Sequence, residues 1–309
     1  MLFKTGRFYR LPADFVIDFD QLETALAEKP ARVCASQEKV HHGFAPTYGK
    51  GEDAPLMHIF NTGACALIRV RKDERLLPPS VISQFLAAKV EEISTTQDRK
   101  VRKKEKDQLK DEITQSLLPQ AFPLNTSNFL VIDKATGLIW CNSTSPGTAE
   151  DMLSLIREVI GSLPVRPLRS KLPPSVSMTD WVKNGEGPAG FCILGDCTLK
   201  DTDETGGAIQ AKKQDLTDEA LQNLLAGGKV VTDLRLSYGD SLSFSLDTDC
   251  VLKGISYGDV FEEKAQSDAG DDADGLFDAN LCLMILTLRE MLPKLMEAIG
   301  GEEFPKVAE

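Results

Sequence analysis

Apolar residues recur at three- and four-residue steps in some stretches of the chain and at alternate positions in others, and these periods predict helices and strands respectively. Helical spacing marks Phe19 to Glu28, Thr148 to Ile160, Asp218 to Leu225 and Phe277 to Ile299. It also runs through Ile82, Leu86, Val90 and Ile93, behind a Pro78-Pro79-Ser80 start that suits a first helical turn. Ser94-Thr95-Thr96 is a weak helical patch and predicts a break. A second, highly charged helix then spans about Asp98 to Leu118 and stops at Pro119. Strand-like runs occupy Leu2 to Leu11, Leu56 to Val70 folded at Asn61-Thr62-Gly63, and Asn128 to Ile132 with Leu138 to Cys141 around the loop Asp133 to Gly137. Others follow at Gly190 to Leu194, Ala208 to Lys213, Lys229 to Leu236, Leu242 to Leu246 and Val251 to Tyr257. Ser267 to Gly275 reads as a solvated acidic loop. Hairpin-linked strands with helices grouped apart predict an α+β fold of antiparallel-rich sheets with packed helices.

A chain of 309 residues with 42% hydrophobic content can bury cores in a few subdomains. The four prolines between Leu163 and Pro174 predict the boundary to a second region. No stretch approaches the roughly 18 apolar residues of a membrane span, and Met1-Leu2-Phe3-Lys4 lacks the ordered regions of a signal peptide. A cytoplasmic protein is expected. The seven cysteines are odd in number and scattered through apolar runs, as buried thiols in a reducing compartment are. Cys192 and Cys197 have no nearby His to complete a zinc spacing, so no metal is expected there. Net charge is -12, but its distribution is uneven. Residues 1–177 carry 24 basic and 21 acidic side chains, and residues 178–309 carry 11 and 26. A duplex responds to the local field along its backbone, so the overall acidity does not exclude nucleic acid.

Several catalytic strings fail on context. Gly185 to Gly190 fits the dinucleotide pattern G-x-G-x-x-G but follows a helix and enters a strand, the reverse of the required order. Gly43 to Gly51 has the wrong spacing for a phosphate loop and lacks its hydroxyl. Gly254-Ile255-Ser256-Tyr257-Gly258 matches a nucleophile elbow, yet His41, His42 and His58 all precede it and no base follows. His41 and His42 lie before a Gly-Phe-Ala-Pro turn, where solvent exposure is expected. One enzyme reading stays open as an alternative: Asp247 or Asp249 with Glu262-Glu263-Lys264 could hold magnesium and polarise water in a nuclease. Its second element falls in a polar stretch away from any core strand.

The basic residues make a more coherent pattern. From Arg99 to Lys106 six of eight residues are basic, and on one helix Arg99, Lys103, Lys106 and Lys110 would share a stripe able to follow phosphates. Glu105, Asp107 and Asp111 partly neutralise it. In the acidic half, Lys212-Lys213, followed by Gln214, is the adjacent basic pair. Strand alternation would point Lys212 and Gln214 one way and Lys213 the other, with Asp215 or Thr217 capping the next helix.

The runs Lys103 to Glu112, Ser116 to Phe122, Ala211 to Thr217 and Gly228 to Thr232 resemble segments of the RdgC family of recombination-associated proteins. So do Phe3-Lys4 with Tyr9-Arg10-Leu11, Leu76-Leu77-Pro78 and Glu297 to Gly301. They cover nearly the whole chain in order. The resemblance implies a non-enzymatic, nucleoid-associated protein without cofactors: a ring-shaped homodimer that encircles double-stranded DNA regardless of sequence and restrains RecA-dependent recombination. It also implies a centre region (residues 1–75 and 121–173), a protruding helical tip (76–120) and a base (174–309). By the same resemblance Lys213 and Gln214 match the DNA channel, and Phe122 matches an apolar dimer contact. Two positions depart: Asp233 stands where the family carries Lys or Arg, and Phe44 where it carries Trp. Inhibition of RecA by direct contact is the other alternative that stays open.

Overall fold

The computed structural model describes residues 2–49, 54–203, 206–269 and 273–304. The first part of the chain runs β1 (Arg7–Arg10), α1 (Phe19–Leu26), β2 (Val40–Ala45), β3 (Met57–Phe60), β4 (Cys65–Leu76), α2 (Pro79–Gln97), α3 (Lys103–Leu117), β5 (Phe122–Asp133), β6 (Leu138–Cys141), α4 (Pro146–Ile160) and β7 (Arg166–Pro167). The second runs α5 (Pro174–Asn184), β8 (Phe191–Lys200), β9 (Ala208–Ala211), α6 (Glu219–Ala226), β10 (Val230–Tyr238), β11 (Leu242–Asp247), β12 (Leu252–Tyr257), α7 (Asp259–Ala269) and α8 (Ala273–Ala298). The strands form two antiparallel sheets, ordered β2-β4-β5-β6-β1-β7, with β3 also on β4, and β12-β11-β10-β8-β9. This is the α+β class that the pattern predicts.

Burial explains the layering. On one face of the first sheet, Ile68, Leu130, Ile132 and Ile139 share a core with Leu22 and Leu26 of α1 and with Met152, Leu153 and Ile156 of α4. The opposite face sends Phe8, Leu67, Val131 and Trp140 into a second core. That core also holds Leu281, Met284, Leu288 and Leu292 of α8 and the inward residues of the second sheet. In β11 these alternate as the two-residue period requires: Leu242, Phe244 and Leu246 are buried, while Ser243, Ser245 and Asp247 are half-exposed. The second sheet therefore keeps one polar face.

A buried ion pair ties α8 to the first sheet. Asp133, 1% exposed, receives Arg289 Nε at 2.7 Å and Nη2 at 2.6 Å. It also accepts Ala135 N–H at 3.0 Å and Thr136 Oγ1 at 2.8 Å, which closes the β5–β6 loop. Burial alone would push its carboxyl up, but the hydrogen bonds from Arg289 and Thr136 outweigh it and hold the pKa below the ordinary value.

Three local expectations are corrected. Leu2 to Leu11 is not one strand: Ile255 N–H donates to Lys4 O and Gly6 bridges Leu252 of the second sheet, and only Arg7–Arg10 joins the first. The break expected at Ser94–Thr96 falls instead at Asp98, whose φ is 48°. Thr95 Oγ1 donates to Glu91 O at 2.9 Å, so its hydroxyl is satisfied within the continuing helix. The proline-rich segment also contributes β7, which pairs with Tyr9 and Arg10 and leaves the expected boundary as it stands. Much of the expected acidic loop is helical, since α7 reaches Ala269 and α8 starts at Ala273; residues 270–272 of that loop lie outside the described residues.

Candidate nucleic-acid interface

The α2–α3 hairpin is inserted between β4 and β5, which are neighbours paired along their whole length. Leu86, Val90 and Ile93 on α2 and Leu109 and Ile113 on α3 are only half-buried, and α3 buries no residue fully. Ile82, Val101 and Leu118 are buried here but belong to neither main core. The pair is thus a projection with its own small apolar seam.

Lys103, Lys106 and Lys110 occupy one side of α3 at three- and four-residue steps, and all are exposed. Among the described residues, the run Arg99–Lys106 makes one ion pair, from Arg99 Nη2 to Glu105 Oε1 at 2.6 Å. Arg99 lies on the linker before α3, so the four-cation stripe becomes three. Its guanidinium is committed to Glu105, and that hydrogen bond lowers the Glu105 carboxyl.

The turn at Lys212-Lys213-Gln214 also differs from the expectation. β9 ends at Ala211, and Lys213 has a φ of 51°, so strand alternation does not apply. Lys213 N–H donates to Asp196 Oδ1 at 2.7 Å, Gln214 N–H to Gly195 O at 2.9 Å, and Gln214 Nε2 to Lys212 O at 3.2 Å. Asp218, not Asp215 or Thr217, caps α6 by accepting Ala220 N–H at 2.8 Å. Asp215 instead closes its own turn on Thr217 N–H and Oγ1. Sequence reasoning missed Gly195 and Asp196. The signal was there, because a Gly-Asp pair inside an apolar strand run marks a bulge or a close backbone approach.

Phe122 opens β5 and is 79% exposed. It stands opposite Leu76, and Leu124, two residues on, shares its face; both leucines are exposed as well. β6 covers β5 only from Leu130 onward, so the outer edge of residues 122–129 has no strand partner among the described residues. Phe129 O accepts Asn142 N–H on that edge, and alternation aims Ser127, Asn125 and Pro123 the same way. Pro123 offers no N–H there, which blunts the edge against strand addition and leaves the apolar face as the sticky surface.

The parts of the nuclease reading do not converge. Asp247 Oδ1 accepts Asp249 and Val251 N–H, each at 2.9 Å. Its Oδ2 lies 2.9 Å from Lys253 Nζ, which also reaches Asp233 at 3.3 Å. Burial pushes the Asp233 carboxyl up and Lys253 partly counters it; Asp233 and Asp247 therefore share one cation of the polar face. Glu262 to Lys264 sit on α7, whose lead-in Gly258 N–H bonds Ser241 O at the far end of β11 from Asp247. At 3.4 Å per residue these ends are about 17 Å apart. Among the described residues no group of three His, Cys, Asp or Glu is placed to hold a metal ion. His41 and His42 are half-buried on β2 instead of exposed in a turn, and burial lowers the His42 pKa. No described helix is long and apolar enough to cross a membrane.

Comparison with known proteins covers nearly the whole chain. Residues 1–302 match the family model described as "RdgC: Putative exonuclease, RdgC". The chain is 52% identical over 306 residues to the recombination-associated protein RdgC of Pseudomonas syringae pv. syringae (strain B728a), covering 99% of each. It is 50% identical over 306 residues, again 99% of each, to the proteins of that name from Pseudomonas entomophila (strain L48) and Pseudomonas aeruginosa (strain LESB58). The chain belongs to the RdgC family of recombination-associated proteins.

Proposed function

We propose that this protein is a non-enzymatic, sequence-independent binder of double-stranded DNA, which it encircles as a ring-shaped homodimer, and that it restrains RecA-dependent recombination by occupying the duplex. The observation that carries the reading is the exposed Lys103, Lys106 and Lys110 row on a projecting helix, with no carboxylate paired to it among the described residues. Such cations gain affinity by displacing counterions from phosphates, without a base code. In this reading the hairpin is the tip, the first sheet the centre and the second sheet the base, with Lys213 and Gln214 facing the DNA from an otherwise acidic half.

Replacing Lys103, Lys106 and Lys110 together by Gln tests it. These side chains support no core, so folding is expected to stay intact. Affinity should fall about equally for unrelated duplexes, and the slope of log K against log salt should flatten by roughly 0.9 for each phosphate no longer neutralised. An unchanged slope in fluorescence-anisotropy titrations would reduce this helix to a solvated surface.

A second expectation separates the paired lysines. Lys213→Ala should weaken duplex binding more than Lys212→Ala, because the backbone N–H of Lys213 is clamped by Asp196 while Lys212 only enters the turn after β9 ends at Ala211. Equal losses within about 0.5 kcal/mol, the range of ordinary surface changes, would remove the base from the DNA path.

A further inference from the structure

We infer that Asp196 and Gly195 are positioning residues, which present Lys213 to DNA by clamping the backbone of its turn; this rests on the reading of Lys213 as a DNA contact. The clamp begins with an irregularity in β8. Register runs from Ile193↔Leu236 to Cys197↔Leu234, so Leu194, Gly195 and Asp196 stand opposite Arg235 alone. A bulge of this kind re-aims the side chains it carries. Pairing of β8 with β9 also stops there, at Cys197↔Ala211, and the next residues of the β9 side fold over the bulge as the Lys212–Gln214 turn.

Each half of the clamp has a reason to be the residue it is. A Cβ on Gly195 would lie 2.7 Å from Gln214 O, 3.0 Å from Gln214 N and 3.2 Å from Lys213 C. All three are backbone atoms, so the turn could sit this close over no larger residue without moving. Lys213 holds a left-handed φ of 51°, a conformation that L-residues with side chains rarely keep unless the surroundings enforce it. The enforcing contacts are the Lys213 N–H to Asp196 carboxylate bond at 2.7 Å and the Gln214 N–H to Gly195 carbonyl bond at 2.9 Å.

The charge of Asp196 argues in the same direction. A carboxylate beside a phosphate-facing lysine opposes DNA binding by its charge, so its use here has to be sought in its acceptor oxygens. Here it accepts from the lysine's backbone and makes no ion pair with its ammonium among the described residues, so the ammonium stays exposed. The acceptor oxygen, not the charge, is the useful part.

That distinction sets the experiment, a titration of the full chain with a short DNA duplex of arbitrary sequence. Asp196→Asn and Asp196→Ala both remove the charge, but only Asn keeps an acceptor. The Asn variant should bind as tightly as the natural protein or tighter, and the Ala variant about fivefold more weakly than Asn. The salt slope of the Ala variant should also be flatter by roughly 0.9, one phosphate contact. Equal binding by Asn and Ala, with Lys213→Gln still weakened, would overturn the inference alone. Lys213→Gln binding like the natural protein would sink the Lys213 contact and this inference with it. Should Asp196→Ala fail to fold, Gly195→Ala repeats the test with every charge kept: weaker binding supports the clamp, and unchanged binding overturns it.

Discussion

Phe122→Glu is expected to convert the proposed homodimer to monomer at low micromolar concentration without unfolding the chain. Folding should survive because the ring contributes nothing to either core: Phe122 is 79% exposed and absent from both clusters. It is not a core residue. With Leu76 directly across the strand pair and Leu124 two residues on, it forms an exposed apolar patch at the end of the first sheet. An aromatic can hide roughly 150 to 250 Å² in such a contact, and central aromatic anchors dominate small interfaces. Burying a carboxylate there without a partner adds a desolvation cost to the forfeited apolar burial. Together these should weaken association by at least about 2 kcal/mol, roughly thirtyfold in Kd. Sedimentation equilibrium reads the shift; a folded variant that dimerises as before would place the interface elsewhere.

Asp133→Ala should produce the largest loss of stability. Removing one partner of a buried ion pair leaves the other uncompensated, at a cost of roughly 3 to 5 kcal/mol. Arg289 retains 23% of its side-chain exposure, which favours the lower end. At about 2 to 4 °C per kcal/mol for chains approaching this size, a fall of roughly 10 °C in Tm is expected. The pH dependence follows from the lowered pKa of Asp133. A carboxyl whose folded value is depressed contributes stability above its unfolded value, near 3.9, and loses it as pH falls through the folded one. The difference between the natural protein and Asp133→Ala should therefore be full at neutral pH and shrink in acid. A change below about 0.5 kcal/mol at pH 7 would mean that α8 is held by its apolar face alone.

The pair Asp133–Arg289 was not legible in the sequence, because nothing local links residues 156 positions apart. What was legible is what local periodicity encodes. The stripe from Ile82 to Ile93 gave α2, and alternation gave the pairs β3–β4 and β5–β6 and the strands β10 and β11. The hairpin turn at Asn61-Thr62-Gly63 carries the left-handed φ values that Asn and Gly favour. Local reading failed where the outcome depends on a distant strand. Lys212 to Gln214 continue an alternating pattern and contain no glycine, so they read as strand; the bulge at Gly195 and Asp196 turns them instead. Likewise α7 has few apolar positions to show a helical face, and its buried Phe261 and Ala265 are too sparse to announce it. Of the candidate site, the cations could be read as residue types and Phe122 only through the family resemblance; that Arg99 is held by Glu105, which takes it out of the row, depends on the linker's fold.

The most direct test of the central claim is a duplex-binding titration on the natural protein, using unrelated sequences at several salt concentrations, with and without magnesium. Phosphate-directed binding predicts similar affinities for every duplex, a log K that falls linearly with log salt, and DNA that stays full-length when magnesium is added. Affinity that depends on sequence or ignores salt would contradict phosphate-directed binding, and magnesium-dependent shortening of the strands would establish the nuclease reading in its place.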